Sequence, residues 1–470
     1  MKRLTALVLF TLCSSILAAD KPNILFLLAD DLGQRDIRAF NPNTFYETPN
    51  IDSLAKRGMK FTSGYAACCV CSPTRGSIMT GKYPPRFGIT NFIPGGRSGK
   101  LLPAPNATEL ALSEVTIAEA FKEAGYATFM SGKWHLGNEG FLPKDQGFTS
   151  DASAATGPKT NAEKRADDPK KTDRICDDAI AFIEQNKNQP FFAYLPFNAP
   201  HVPIGARADL VAKWEAKARQ APADQWGQEG QNQVRLVQNH AAYAAMIEQL
   251  DSGIGRIIAS LEKNGLSGQT IIVFMSDNGG LSTAEGSPTS NLPLRAGKGW
   301  PYEGGVREPL IVVAPGTTPP GSTSDSPVIS TDFYPTLLDL AGLPPKPDQH
   351  LDGQSFAPLL KGQSHSRSQP LFWHYPHYAN QGGSPNGVIR DGDWKLIEWY
   401  EDGALELYNL SQDLSEKTNL ALQHPDKTQE LHAKLVAWRN QVGALMPQPN
   451  PNFDPNAKPK AKAPKKGKKK

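Results

Sequence analysis

Five short, continuously apolar runs constrain this chain more than anything else in it: Asn23–Ala29, Ala127–Met130, Phe191–Leu195, Ile271–Met275 and Leu310–Val313. A strand that faces water on one side alternates apolar and polar residues, whereas a run apolar throughout is covered on both faces. Between the runs, 114–124, 172–186, 234–263 and 332–341 carry apolar residues at helical spacing, with Ser113 and Thr331 placed to cap two of them. Strands alternating with helices predict an α/β fold, a large and mostly parallel sheet flanked by helices on both faces. Segments 89–110, 151–171 and 281–297 are rich in Gly, Pro, Ser, Thr or Asn and read as loops. From about residue 365 the texture changes. An aromatic cluster, Phe372 to Tyr378, precedes Gly387–Arg390, Trp394–Tyr400 and Leu405–Leu410, which are separated by the turn pairs Asp391-Gly392 and Asp402-Gly403. These predict a smaller C-terminal subdomain with an antiparallel sheet and a helix over 427–442. The expected division is therefore 20–364 for the α/β domain and 365–446 for the subdomain. No repeat of 20–50 residues argues for a solenoid or propeller.

The two ends differ from the body. Residues 1–19 have Lys2 and Arg3, then the apolar Leu4–Leu12, then small residues to Ala19, the pattern of a secretory signal peptide too short to span a membrane. An exported, periplasmic or secreted protein follows, with no transmembrane segment. Residues 447–470 are expected to be a Lys-rich disordered tail, either solvated or an electrostatic anchor. Lys and Arg total 50 against 47 Asp and Glu, yet 451–470 alone hold eight Lys. Without its ends the body is acidic, which argues against a nucleic-acid partner. Beyond Cys13, the cysteines are Cys68, Cys69, Cys71 and Cys176, too few for a disulfide framework.

Several apolar runs end in polar residues capable of chemistry: Asp30-Asp31 after the first, Lys133-Trp-His135 after the second, Asn198-Ala-Pro-His201 after the third and Asp277-Asn278 after the fourth. Ligands of open parallel sheets bind at the carboxyl ends of the strands, so these four segments should meet at one rim. Asp30, Asp31, Asp277 and Asn278 would form an oxygen-only cluster with three negative charges, suited to Ca²⁺ or Mg²⁺. Taken singly, each acidic pair also fits a turn or a helix cap. In Cys71-Ser-Pro-Thr-Arg75, Pro73 can open a helix, which would set Cys71 at a positive helix end with Arg75 one turn on. A buried, inert cysteine fits that segment equally well.

Cys71-Ser-Pro73-Thr-Arg75 resembles the Cys-x-Pro-x-Arg signature of the type I, formylglycine-dependent sulfatases, members of the alkaline-phosphatase superfamily. The resemblance runs from about residue 21 to 420 and takes in Asn23–Asp31, Gly132-Lys-Trp-His-Leu-Gly137, Ser276-Asp-Asn-Gly279 and Gly297–Pro309, in family order. It implies an alkaline-phosphatase-like fold and a sulfuric ester hydrolase. It further implies a maturation enzyme that oxidises Cys71 to formylglycine, whose hydrate attacks sulfur with one hydroxyl and expels sulfate by re-forming the carbonyl. One Ca²⁺ on Asp30, Asp31, Asp277, Asn278 and residue 71 is implied too. Lys133 and Lys298 would bind sulfate oxygens and Arg75 would steady the hydrate. His135 would act as base and His201 as acid to the leaving oxygen.

A sulfated carbohydrate, whether polysaccharide or glycosaminoglycan fragment, is the expected substrate. Arg295, Trp300, His374, His377 and Arg390 are its candidate contacts, since aromatic faces with polar groups suit sugar rings. Two other readings share these residues. A phosphatase or phosphodiesterase of the same superfamily would pair two transition metals through His and Asp, and a non-catalytic binder of sulfated glycans would use the rim without turnover.

Overall fold

The computed structural model describes residues 21–151 and 168–455; the expected signal peptide and residues 456–470 lie outside them. Each apolar run forms a strand: Asn23–Asp30, Ala127–Met130, Phe191–Pro200, Thr270–Ser276 and Arg307–Val313. They belong to a nine-stranded sheet. Asn23–Asp30 is central, with Phe191–Pro200 parallel on one side and Thr270–Ser276 parallel on the other. Ala127–Met130 and then Ser150–Asp151 continue one edge. Arg307–Val313 is antiparallel to both its neighbours, Thr270–Ser276 and Met59–Tyr65, and the short strands Ser322–Ser324 and Val328–Ile329 pair with Met59–Tyr65.

Strand period two explains the core. Ile24, Phe26 and Leu28 point to one face with Phe192, Tyr194, Val273 and Met275, while Leu25, Leu27 and Ala29 point to the other with Ala193, Leu195, Ile272 and Phe274. The first face is covered by helices Cys71–Thr80, Ile117–Glu123 and Phe333–Leu340; the second by Pro49–Arg57, Thr172–Asn186 and Ala241–Lys263. Both faces are thus shielded, as continuous apolarity requires.

Two caps differ from expectation. Thr116, in place of Ser113, caps Ile117–Glu123: its hydroxyl accepts from Glu119 N at 3.1 Å while Glu119 accepts from Thr116 N at 2.7 Å, satisfying two otherwise orphaned donors. Thr331 lies inside a 3₁₀ turn, Ser330–Asp332, that leads into Phe333–Leu340. The helix expected from 234 starts at Ala241, because Asn232–Arg235 pairs with Trp226–Glu229 in a hairpin.

The smaller sheet runs in sequence order, Leu371–Tyr375, Asn386–Asp391, Trp394–Trp399 and Leu405–Asn409, every pair antiparallel. Helix Pro425–Gln441 packs on it through Leu431, Leu435 and Trp438, the last stacked on Phe372 at 4.7 Å. This core is continuous with Tyr65, Val70, Tyr302 and Val306 of the large unit. A buried ionic cluster joins the two as well: Lys395 lies 2.9 Å from Glu303 and 2.8 Å from Glu416, and Glu303 also accepts from Tyr65 and Arg307. Within the segment expected as tail, Gln448–Pro449 pairs with Leu101–Leu102, and Asn450 N donates to the Lys100 carbonyl at 2.9 Å. No helix among the described residues is long and apolar enough to cross a membrane.

Candidate active site

The central strands deliver their carboxyl ends to one point. Asp31 follows the strand in a left-handed conformation, φ 67°. The neighbouring strand end is stitched to it: Asp31 N donates to Asp277 Oδ1 at 3.2 Å, and Leu32 N to Ser276 Oγ at 2.9 Å. Ser276 Oγ in turn donates to the Asn278 carbonyl at 3.0 Å. Ser276 was not among the expected site residues, for a strand-terminal serine has no distinguishing pattern. Lys133 follows strand Ala127–Met130 through Gly132, φ 130°, where a Cβ would stand 2.0 Å from the Pro196 carbonyl oxygen. Only glycine permits that approach, which lets Lys133 N bond the same carbonyl at 2.7 Å.

Helix Cys71–Thr80 begins with the cysteine, and Pro73 falls in the first turn, where a missing N–H has no intrahelical partner to lose. Cys71 Sγ lies 3.5 Å from Asp30 Oδ1 and 3.9 Å from Asp31 Oδ1. One turn later Arg75 directs Nε and Nη2 to Asp277 Oδ2 at 2.9 and 2.7 Å, and Nη1 to the Lys133 carbonyl. Lys133 Nζ sits 2.8 Å from Asp30 and Lys298 Nζ 2.7 Å from Asp31. His201 Nε2 is 3.6 Å from Asp31. These contacts gather Asp30, Asp31, Cys71, Arg75, Lys133, His201, Asp277 and Lys298 at the strand ends.

Electrostatics follow from this packing. Burial pushes the Asp30 carboxyl up, but Lys133, His201, Arg75 and Lys298 together hold it well below its ordinary value. Asp31 is lowered for like reasons, chiefly by Lys298 against burial. Burial and the neighbouring Asp30 raise Asp277 despite Arg75. Burial, then Asp277, pushes the Cys71 thiol well up, so the unmodified side chain is a neutral thiol.

The histidines are oriented by backbone. His135 Nε2 meets the Ile93 carbonyl at 2.7 Å, and since a carbonyl only accepts, Nε2 carries the hydrogen and Nδ1 the free lone pair. Nδ1 is buried and has no partner among the described residues. Burial and Lys133 lower its pKa to about 3. His201 Nδ1 donates to the Val202 carbonyl at 2.5 Å, which leaves Nε2 toward Asp31.

Does this donor set fit a metal? The ligand atoms of Asp30, Asp31, Cys71 and His201 lie within 4.8 Å of one another. Asn278 Oδ1 is buried with no hydrogen-bond partner among the described residues, while its Nδ2 donates to Asp31 Oδ1 at 2.8 Å. Asp277 lies beside that group with its oxygens on Asp31 N and Arg75; the two buried carboxylates within it and an amide oxygen in want of a partner fit a hard cation.

The expected substrate contacts fare differently, because the structure commits most of them elsewhere. Arg295 spends its donors on Glu229, Tyr408 and the Glu416 carbonyl, and lies 3.7 Å over the Tyr302 ring. Trp300 is buried, its Nε1 on Thr283 and the Gln381 carbonyl. His374 bridges Tyr400 and the Leu445 carbonyl, and His377 bonds Thr90; both are buried. Arg390 lies over Tyr65 and lines a separate cavity of about 1130 Å³ with Arg86, Arg367 and Trp438. Their aromatic and basic character serves packing and internal hydrogen bonding. Lys170, which was not expected, is buried near the cluster: Asp30, Lys133, Asp31 and Lys298 all bear on its charge.

Residues 22–343 match the sulfatase family, and 296–441 match the C-terminal region of N-sulphoglucosamine sulphohydrolase. A sulfatase of Formosa agariphila is 34% identical over 93% of this chain and 94% of its own. Human arylsulfatase A is 34% identical over 82% of this chain and 76% of its own. The solved structure of Ps i-CgsB in complex with k-i-k-neocarrahexaose is 29% identical, covers 89% of this chain and 93% of that one, and has a TM-score of 0.71.

Proposed function

The chain belongs to the sulfatase family of sulfuric ester hydrolases, and from that premise we propose that it hydrolyses sulfate monoesters of carbohydrates, with a formylglycine made from Cys71 and a calcium ion as its working groups. The observation that carries this reading is the approach of Cys71 Sγ to Asp30 Oδ1 at 3.5 Å with Arg75 anchored on Asp277, which sets residue 71 against the carboxylates. The hexaose-bound relative supports a carbohydrate substrate.

Asp30, Asp31, Asp277 and Asn278 would hold Ca²⁺, which supplies Lewis acidity toward a sulfate oxygen. As formylglycine, residue 71 would supply in its hydrate the attacking oxygen and, by losing a proton, the route for expelling sulfate. Lys133 and Lys298 neutralise Asp30 and Asp31 at 2.8 and 2.7 Å; a cation competing for those carboxylates would turn both ammonium groups toward sulfate, where negative charge develops. Arg75, locked by two bonds to Asp277, keeps its charge beside residue 71. His135 offers the bare Nδ1 that a base requires. His201, its Nδ1 committed to a carbonyl, has Nε2 left, 3.6 Å from Asp31, to protonate the departing alcohol oxygen. Export, with removal of residues 1–19 and modification by a separate maturation enzyme, completes the proposal.

Release of sulfate from defined sulfated saccharides by wild-type and Cys71→Ala protein tests it, with mass spectrometry of the peptide spanning 68–75. The expected result is an aldehyde at residue 71, turnover by the wild type and none by the variant. Full activity with an intact Cys71 thiol overturns the mechanism. Two bound Zn²⁺ with phosphate-ester turnover would favour the phosphatase reading.

A further inference from the structure

Neither the strand ends nor the cysteine segment accounts for Lys170. It is 8% exposed, and among the described residues its ammonium makes one long hydrogen bond, 3.4 Å to the Pro203 carbonyl, with no carboxylate paired to it. The acids that bear on it, Asp30 and Asp31, are already engaged by Lys133 and Lys298. Burial accordingly lowers its pKa. A buried ammonium without a counter-charge is destabilising, and such a group is accounted for when an anion arrives to meet it.

Its position says which anion. Pro203 closes the segment His201-Val202-Pro203, so the ammonium leans on the loop that bears His201, and Asn198 Nδ2 holds the Lys170 carbonyl from the same strand end at 3.3 Å. That is the side from which the leaving oxygen would be protonated. The sulfate being cleaved has Lys133 and Lys298 to itself. We propose that Lys170 is a specificity-determining residue that binds a second anionic group, a carboxylate or a further sulfate, on the sugar that departs. This inference rests on the sulfatase reading and narrows its substrate to saccharides with at least two negative charges close together.

The test compares 4-nitrophenyl sulfate, which has one charge, with a disulfated saccharide, using wild type, Lys170→Met and Lys170→Arg. Lys170→Met should lower kcat/KM on the disulfated saccharide by about tenfold more than on 4-nitrophenyl sulfate, through KM, and Lys170→Arg should recover most of that difference. Equal proportional losses on both substrates, or none on either, overturn the proposal. Should Lys170→Met fail to fold, the wild type alone decides. A second charge on a saccharide inhibitor must strengthen its competition against 4-nitrophenyl sulfate, and an unchanged inhibition constant overturns the assignment. A matured, calcium-loaded wild type that turns over neither substrate overturns the sulfatase reading and this inference with it.

Discussion

Arg75→Met isolates the electrostatic logic of the site. The native guanidinium is fully buried, gives two bonds to Asp277 Oδ2, lies 3.7 Å from Asp30 and bonds the Lys133 carbonyl through Nη1. Methionine retains an apolar stem of similar reach and removes the charge with every donor. Asp30 keeps Lys133, but Asp277 is left fully buried without its cation. Stripping one partner from a buried pair costs about 3–5 kcal/mol, and the freed Lys133 carbonyl adds about 1 kcal/mol. With an unfolding entropy of about 2 cal/mol/K per residue, each kcal/mol moves the Tm of a chain this size by about 1 °C, so a fall of roughly 4–6 °C is expected. Differential scanning fluorimetry in chelator measures it. Calcium should then raise the Tm of the variant more than that of the wild type, because the ion takes over the charge on Asp277, while activity stays lost. A variant that melts within about 1 °C of the wild type in chelator refutes the reasoning, for Asp277 would then not depend on Arg75.

Chelation of the wild type should abolish sulfate release, and Ca²⁺ should restore it; at a hundredfold excess over Kd the ion should add about 2.7 kcal/mol of stability, read as a rise in Tm. Gly132→Ala should lower sulfate release at least about tenfold, since its Cβ meets the Pro196 oxygen at 2.0 Å and φ is 130°, so the Lys133 backbone must move. Burial raises Glu416 to about 7 from 4.5, with Lys395 opposing and Glu303 adding. Between pH 4.5 and about 7 the folded state therefore binds more protons than the unfolded one, and stability falls as pH rises across that window. The slope should sum to about 3 kcal/mol and be missing in Glu416→Gln, as measured by denaturant titration at several pH values.

The strands were legible because being covered on both faces leaves a plain mark, an apolar run with no alternation. Direction leaves no such mark: Leu310–Val313 reads as a strand, but nothing in those residues says that it runs against its neighbours. Met59–Tyr65 escaped notice because Lys60 and Thr62 reach the surface and break the run. The acidic pairs and Lys133 could be read from their place at strand ends; Lys298, in the turns before helix Glu303–Val306, was legible only through the resemblance of Gly297–Pro309. The substrate contacts could not. A tryptophan or histidine looks the same in sequence whether it meets a sugar or, like Trp300 and His374, spends its polar atoms on backbone carbonyls. Lys170 sits in a stretch of charged residues that resembles a solvated face.

The pairing of Gln448–Pro449 with Leu101–Leu102 bears on how the protein should be handled. Those leucines end a loop that begins near Ile93, whose carbonyl orients His135 and whose amide is held by Ser72 at 3.2 Å. A purification handle appended after residue 470 leaves that clasp closed. Trimming the gene at residue 446 to remove the lysine-rich stretch would open it, and the cost would surface as slackened imidazole geometry far from the cut.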